Sequence, residues 1–460
     1  MKLIIEARLV DDSIQTKPVQ LAVIDREMTD TALGLSLAEG KTLLASAQEI
    51  LVRAQCEGIA EEHSCCERCG SKLCLKGWHE RQIRTVFGRV KVRSARLRYC
   101  ACAGKHAGAS FSPLVQVLPA CVSPELEYLQ VKWAAHLPYA AATQLLAEVL
   151  PISQAISVTG VKRRVRAVGA ELEQPAAAAQ HPQNSPRPPL AALAVDSAWL
   201  RHCKPPADKG RHVNLVVGRA CFEDGPSRVY AYVHNQVTSA AARLNGFLRD
   251  IGVDPTARLT ILSDGAGEFD KTARDCAQPL CRILDWFHVA MKFQAAENAV
   301  FGCKQIESQE RLGIQSEIRR AKWLVWHGKI RKARARIEAL DNRLLKRPDY
   351  EFSTLWWNLR NASGYLKGNA RYAVNYARRH HKGLPVRSAI AESAVNQVVS
   401  CRMAKKRQMR WSDEGAHLLA QIRVRAINGE LKPRAVPIPF RPPKPKADPW
   451  LDGYLLREAA

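Results

Sequence analysis

The sequence predicts a multidomain α/β protein, and three stretches carry that expectation. The first is "IRTVFGRVKVRSARLRYCAC", in which apolar and basic residues alternate with the period of a β-hairpin, turning near Phe87-Gly88. The second is a series of short β-like runs, "LAALAVDSAWL", "HVNLVVGRACF", "SRVYAYVHN" and "RLTILSD". One helical pattern, "AARLNGFLRDIG", precedes the last run, and together they read as the opening of a mixed α/β domain. The third is a helical, basic region from Ala295 to about Lys367, punctuated by Trp323, Trp326, Trp356 and Trp357.

With 460 residues and 47% hydrophobic composition, the chain has enough apolar material for two or three cores. Lys and Arg outnumber Asp and Glu by 69 to 44, a formal charge of +25. Such an excess repels itself unless an acidic partner meets it, and nucleic acid is the expected partner. Nowhere does the sequence run eighteen apolar residues without a charge, so no membrane span is expected. The opening "MKLIIEARLVDD" has too short an apolar run for a signal peptide, which points to a cytoplasmic protein. Most of the 14 cysteines stand alone and read as reduced, buried side chains.

The expected organisation begins with an N-terminal helical packing segment, residues 1–62, whose helix carries Leu37, Leu43, Leu44, Ala47, Ile50 and Leu51 on one side. A zinc-ribbon-like basic β module follows at 63–120. Three helical patterns, "SPELEYLQVKWAAHL", "YAAATQLLAEVL" and "SVTGVKRRVRAVGAEL", make a helix-turn-helix module at 121–173, with Ser123-Pro124 and Ser157 as helix starts. The proline-rich "QPAAAAQHPQNSPRPP" at 174–189 is a linker. The α/β domain spans 190–430, with a helical insertion at about 295–387, and a proline- and lysine-rich tail occupies 431–460.

Cys66 and Cys69 have the two-residue spacing of a thiolate knuckle, and Gly70 supplies the backbone freedom such a turn needs. Cys100 and Cys102 follow the alternating basic segment, so a hairpin can deliver four thiolates to one tetrahedral zinc ion. Cys65, Cys74 and His106 compete as ligands. Four protein ligands leave no position for water, so the zinc is expected to be structural.

Asp196 and Asp264 end β-like runs, the second just before a glycine turn. Glu392 falls at the edge of a stripe formed by Ile390, Ala394 and Val398, with Asn396 one turn later. Three carboxylates drawn together repel and take up protons unless a cation meets them. Two magnesium or manganese ions, about 3.5 to 4 Å apart, would remove that penalty and serve phosphoryl transfer. Glu268, Glu297, Glu307, Glu310 and Glu317 are alternative third ligands.

The order of "AVDSAW", "LSDGAGEF", "LDWFHVAMKF" and "AIAESAVNQVVSCRMAKKRQMRW" resembles bacterial insertion-sequence transposases with a DDE site, of the ISKra kind. The likeness runs from about Met1 to Glu430 and includes the cysteine knuckle and basic hairpin. It implies an RNase H-like catalytic fold, interrupted by a helical insertion between the second aspartate and the glutamate. By matching position, Asp196, Asp264 and Glu392 are the metal-binding triad. Asp285 and His288 resemble an acid-x-x-His motif beside the site, with Asn396 in a supporting position.

For DNA, Lys162, Arg163, Arg164 and Arg166 lie on the third helix of the helical module, where a major groove or a solvated face would suit them equally. Arg402, Lys405 and Lys406 follow Glu392 closely enough to neutralise phosphates. Residues Arg319 to Arg347 hold eleven Lys or Arg against two acids. The reading is a cytoplasmic, nucleoid-associated transposase acting on element ends and target duplex, as a homodimer or larger assembly on DNA. The alternatives are a non-catalytic DNA-binding regulator and an RNase H-like nuclease or resolvase.

Overall fold

The computed structural model describes residues 2–433, apart from 11–16, 28–33, 153–155, 174–189, 205–211, 235–237, 266–267, 278, 305, 387–388 and 404–408. The linker and nearly all of the tail expected from sequence lie outside the described residues. Two compact units emerge. The first holds Met1–Leu129 and Gln144–Ile156, and the second holds Gln130–Thr143 and Ser157–Leu431.

In the first unit, β1 (Lys2–Ala7) and β2 (Val19–Asp25) form an antiparallel pair. The N-terminal segment is therefore not helical throughout. Helix α1 (Leu37–Glu62) starts at a capping box: the Ser36 side chain accepts from Glu39 N–H while the Glu39 carboxylate accepts from Ser36 N–H. Its buried positions are Val52 and Cys56, whereas Leu37, Leu44 and Leu51 are exposed, so the stripe expected from spacing is displaced toward the C-terminal half. The reason is tertiary. The N-terminal half lies beside the turn of the hairpin of β3 (Cys74–Thr85) and β4 (Gly88–Arg98), with Ala45 near Gly88, whereas Val52 and Cys56 join Ile83, Val90, Val92 and Leu114 in a core. Arg89, Lys91, Arg93, Arg96 and Arg98 are the exposed residues of β4. Strand β5 (Ser110–Phe111) adds to β4, and α2 (Pro113–Val117) follows.

Helices α3 (Pro124–His136) and α4 (Tyr139–Val149) are divided between the units, while α5 (Val158–Glu173) belongs to the second. The three helices expected as one module therefore do not make one compact unit. Ser123 and Ser157 do start helices, accepting from Leu126 N–H and Gly160 N–H.

The second unit is built on a sheet of β6 (Leu190–His202), β7 (His212–Phe222), β8 (Arg228–Val233), β9 (Leu259–Ser263) and β10 (Leu280–Leu284). Their order is β10-β9-β6-β7-β8. Strands β6, β7 and β8 are antiparallel neighbours, whereas β9 runs parallel to β6 and β10 parallel to β9. Successive residues face opposite sides. Leu193, Val195 and Ile261 pack with Leu244 and Leu248 of α6 (Ala240–Asp250) and with Phe269 of α7 (Glu268–Asp275). Ala192, Ala194, Leu262 and Ile283 join a second core with the helices that follow β10. These are α8 (Trp286–Gly302), α9 (Ser308–Trp326), α10 (Ile330–Leu344), α11 (Thr354–Asn369) and α12 (Tyr376–His381).

The chain then enters α13 (Ala389–Val395), a π-helical turn at Asn396–Ser400, α14 (Cys401–Met403), β11 (Arg410–Trp411) beside β6, and α15 (Asp413–Ile427). Helix α15 covers the outer edge of β8. His417 accepts from Val233 N–H, Gln421 donates to Ala231 C=O, and Asn428 bonds both polar groups of Val229. Pairing the edge in this way leaves it no template for another strand. Among the described residues no helix is long and apolar enough to cross a membrane.

Glu173, at the end of α5, ties α5 to α6 and α15 by accepting from Arg243 at 2.6 Å and from His417 at 2.8 Å. Burial works against its charge, yet these two partners hold the carboxyl down at about 2, below its ordinary value of 4.5. A depressed carboxyl stabilises above its unfolded pKa and loses that contribution as pH falls toward the folded one. Glu173→Gln is expected to cost about 1–2 kcal/mol at neutral pH, the partial exposure limiting the effect. In urea titrations at several pH values the gap between the two proteins should narrow below about pH 4.5 and close near pH 2.

Candidate active site and candidate metal centre

In the second unit, strand register aligns three aspartates. Val195 on β6 is level with Ser263 on β9, and Ser263 is level with Leu284 on β10. The next residue along each parallel strand is Asp196, Asp264 and Asp285. Asp196 therefore lies inside its strand, opposite Val217, rather than at the strand end expected from sequence. Residues two apart share a face, so Asp196 follows Ala194 and Asp264 continues the side of Leu262, toward the core of α8–α12.

Asp285 is fully buried and caps α8, one oxygen accepting from Phe287 N–H at 2.9 Å and the other lying 3.7 Å from His288 Nε2. Burial raises the pKa of Asp196, Ser197 N–H and His288 oppose the shift, and the charges of Asp264 and Asp285 add to it. Arg282, interior to β10, donates to Ser263 Oγ at 2.8 Å and to Asp264 C=O at 2.6 Å, and its guanidinium lies over Tyr372. It braces the backbone that carries Asp264. From α11, Tyr365 closes on the same place: burial raises its pKa, and Asp264 and Asp285 raise it further. Gly265 permits that approach, because a Cβ there would sit 2.6 Å from both Tyr365 and Asn369.

Glu392 is exposed on α13, which packs against β6 and β7. Asn396 is exposed at the start of the π-helical turn. The carboxylates do not close into one tight knot: among the described residues, the group of three or more His, Cys, Asp or Glu whose ligand atoms all lie within 4.8 Å is a cysteine quartet. The alternative glutamates have other partners. Glu297 bonds Arg319, Glu310 bonds Arg347 and Glu317 bonds Arg343; Glu307 is exposed before α9, and the side chain of Glu268 lies outside the described residues. Sequence reasoning missed Arg282 and Tyr365. A charged residue inside the apolar run "LCRIL" was a legible signal for the first, whereas nothing local marks the second.

The expected DNA contacts separate by burial. Lys162 and Arg163 are exposed on α5, and Arg166 pairs with Glu414. Arg164 is buried beside Val161 and Val165, which removes it as a phosphate contact. Arg402 is also buried, donating to Ala134 C=O at 2.8 Å between Tyr139 and Trp411. A cation committed to orphan carbonyls at the end of α3 is not a surface charge. Lys405 and Lys406 lie outside the described residues.

The quartet, in the first unit, is Cys66, Cys69, Cys100 and Cys102. A tight turn holds the first pair: Gly70 N–H donates to Cys66 C=O, Cys66 N–H donates to Ser71 C=O, and Gly70 takes φ +68°. Pairing of Cys74 with Arg98 in the β3/β4 hairpin carries that turn to Cys100 and Cys102, just beyond β4. Five of the sulfur–sulfur separations run from 2.7 to 3.7 Å, far from a disulfide bond, and all four thiols are free. A tetrahedral zinc ion about 2.3 Å from each sulfur sets edges of about 3.8 Å, so the cluster could hold such a metal. Bonds from the Cys100 thiol and from backbone N–H groups hold the Cys66 thiol down at about 6, while the neighbouring Cys100 thiol pushes Cys102 up. Cys65 and Cys74 stand outside the quartet, and the His106 side chain is outside the described residues.

No protein-family model matches the sequence, and no match to a curated protein reaches significance. Among solved structures, the chain is similar to one described as a Drosophila P element transposase strand transfer complex. The identity is 12% and the TM-score 0.33, over 67% of this chain and 93% of that one.

Cobalt(II) titration of the reduced protein tests the quartet. Tetrahedral sulfur ligation gives intense absorption in the visible and near ultraviolet, and replacing Cys69 or Cys102 with Ser should reduce affinity by roughly 10²-fold or more. Cys65→Ser and Cys74→Ser should leave both the spectrum and the affinity unchanged.

Proposed function

We propose that this protein is a transposase-type enzyme that cuts DNA at the ends of a mobile element and joins those ends to a target. The observation that carries the reading is the common register of Asp196, Asp264 and Asp285 across β6, β9 and β10. Three antiparallel strands followed by two parallel ones on the other side of the first support an RNase H-like fold. Helices α8–α12, inserted between Asp264 and Glu392, agree with the interruption that the sequence resemblance implies.

In this reading Asp196, Asp264 and Glu392 would hold divalent magnesium or manganese. The fit rests on charge: a largely buried Asp196 carboxyl is already pushed up by burial and by two neighbouring aspartates. Bound cations would offset that repulsion and supply Lewis acidity to a phosphodiester. Asp285, fixed by the Phe287 N–H, orients His288 beside Asp196, and Arg282 fixes the backbone at Asp264. These are positioning roles. The exposed Glu392 is the acid accessible to a strand arriving from solvent.

Two in-line displacements complete the chemistry. In the first, water forms a bond to phosphorus as the P–O3′ bond at the element end breaks, and the proton lost by water leaves the freed 3′-oxygen as a hydroxyl. In the second, that hydroxyl forms a bond to a target phosphorus while the target P–O3′ bond breaks, its proton passing to the displaced target 3′-oxygen, with no covalent protein intermediate. The exposed Lys162 and Arg163, together with the basic face of β4, would meet phosphates, and a zinc ion in the cysteine quartet would keep that hairpin rigid. Joining two ends calls for at least two copies on DNA.

The test is incubation of the full chain with duplex carrying the element's own flanking repeats, with and without magnesium. Asp264→Asn and Glu392→Gln should each lower cleavage by roughly 10³-fold or more while binding stays within about threefold. Asp285→Asn should lower it by roughly 10- to 100-fold. Cleavage surviving in Asp264→Asn would overturn the catalytic reading, and cleavage surviving in Glu392→Gln would remove Glu392 from the triad.

A further inference from the structure

Several surface arginines on the helices that follow β10 are paired with acids. Arg319 pairs with Glu297, Arg334 with Glu338, Arg343 with Glu317, and Arg347 with Glu310. In one place, cations with no such partner gather together. Arg320, Lys329, Lys332 and Arg336 line a cleft of about 620 Å³ between α9 and α10, and none of them has an acidic partner among the described residues. In the same cleft Trp323 is 55% exposed. Its ring stands edge-on to Trp326 at 6.2 Å, and Trp326 is in turn stacked with Tyr376 and 4.8 Å from Trp286, the residue after Asp285. The exposed indole is thus anchored in an aromatic cluster that reaches the acidic row.

Both features of the cleft cost free energy in the free protein. A large apolar ring open to water gains nothing from burial, and four like charges around one hollow repel. The occupant that relieves both is anionic and carries flat aromatic groups. Fully paired duplex offers phosphates but keeps its base faces stacked inside. An unpaired strand offers both, and stacking on aromatic side chains beside a basic groove is how such strands are held. A mononucleotide shares that chemistry without the neighbouring phosphates.

We propose that the α9–α10 cleft receives an unpaired DNA base, stacked on Trp323, with the flanking phosphates against Arg320, Lys329, Lys332 and Arg336. This rests on the reading of the chain as a DNA-processing enzyme and adds a site for single-stranded substrate to it. Lys329 precedes the first turn of α10, so the helix N-terminus adds positive potential to the same hollow.

The experiment uses the full chain carrying Asp264→Asn, so that binding is measured without cutting. Three fluorescently labelled DNAs are compared by anisotropy: a single-stranded oligonucleotide, a duplex with one unpaired base, and the same duplex fully paired. Adding Trp323→Ala should weaken the first two by roughly tenfold or more and the third by less than about twofold. Trp323→Phe should retain most of the affinity. Lys332→Ala with Arg336→Ala should weaken all three and flatten the salt dependence by between about one and two in slope. Equal losses on paired and unpaired DNA in Trp323→Ala, or no loss on either, would overturn the proposal. So would displacement of the oligonucleotide by a mononucleotide at similar concentration. Cutting by the chain with Asp264 intact reports separately on the enzyme reading. Trp323-dependent binding without cutting preserves the cleft and removes the enzyme, and cutting with Trp323-insensitive binding does the reverse.

Discussion

The parallel register of β6, β9 and β10 is the constraint on which the second unit depends. Leu193, Val195 and Ile261 are committed to one core, and Ala192, Ala194, Leu262 and Ile283 to another. Because both faces are buried, a slip of one residue in either pair would exchange the two sets and turn a carboxylate into the wrong core. The packing that holds the strands therefore also sets Asp196, Asp264 and Asp285 level with one another. Stability and site geometry share a single cause.

Arginine serves two ends in this chain. Arg402 and Arg423 are buried and satisfy the last carbonyls of α3, Ala134 and Ala135, while Arg423 also donates to Gln397 and Val398 in the π-helical turn. Burial lowers the pKa of Arg423 to about 10, which leaves it charged at neutral pH. A π-helical turn loosens the usual carbonyl pattern, and a fixed guanidinium fork answers the freed groups. The turn lies four residues after Glu392, so one buried cation helps to hold the segment that follows the candidate acid. The formal excess of +25 is thus only partly a surface property. Some arginines of the inserted helices meet an acid at the surface, and the hollow at Trp323 stands apart because four cations without one gather around an exposed indole.

Much of the element inventory is legible in the sequence. The alternating "RVKVRSARLR" is β4, the run containing Asp196 is β6, and the helical patterns around Ser123 and Ser157 are α3 and α5. Patterning of this kind records which side of an element avoids water, a local property with a fixed period. The errors have one origin. The leucines expected to pack on α1 are exposed because the core that helix joins forms at Val52 and Cys56, and Arg402 is buried because its partner is a carbonyl distant in sequence. Charge alone does not say whether an arginine faces solvent or caps a helix.

By itself the sequence determined the alternation of strands and helices, the cysteine spacing and the residues able to carry acid chemistry, since each depends on neighbours within a few positions. The level row of three aspartates, the arrival of Tyr365 beside Gly265 and the choice of four sulfurs among six nearby cysteines were decided only by tertiary structure. Each of these depends on chain segments brought together by strand pairing and core burial, and no local period encodes the distance between them.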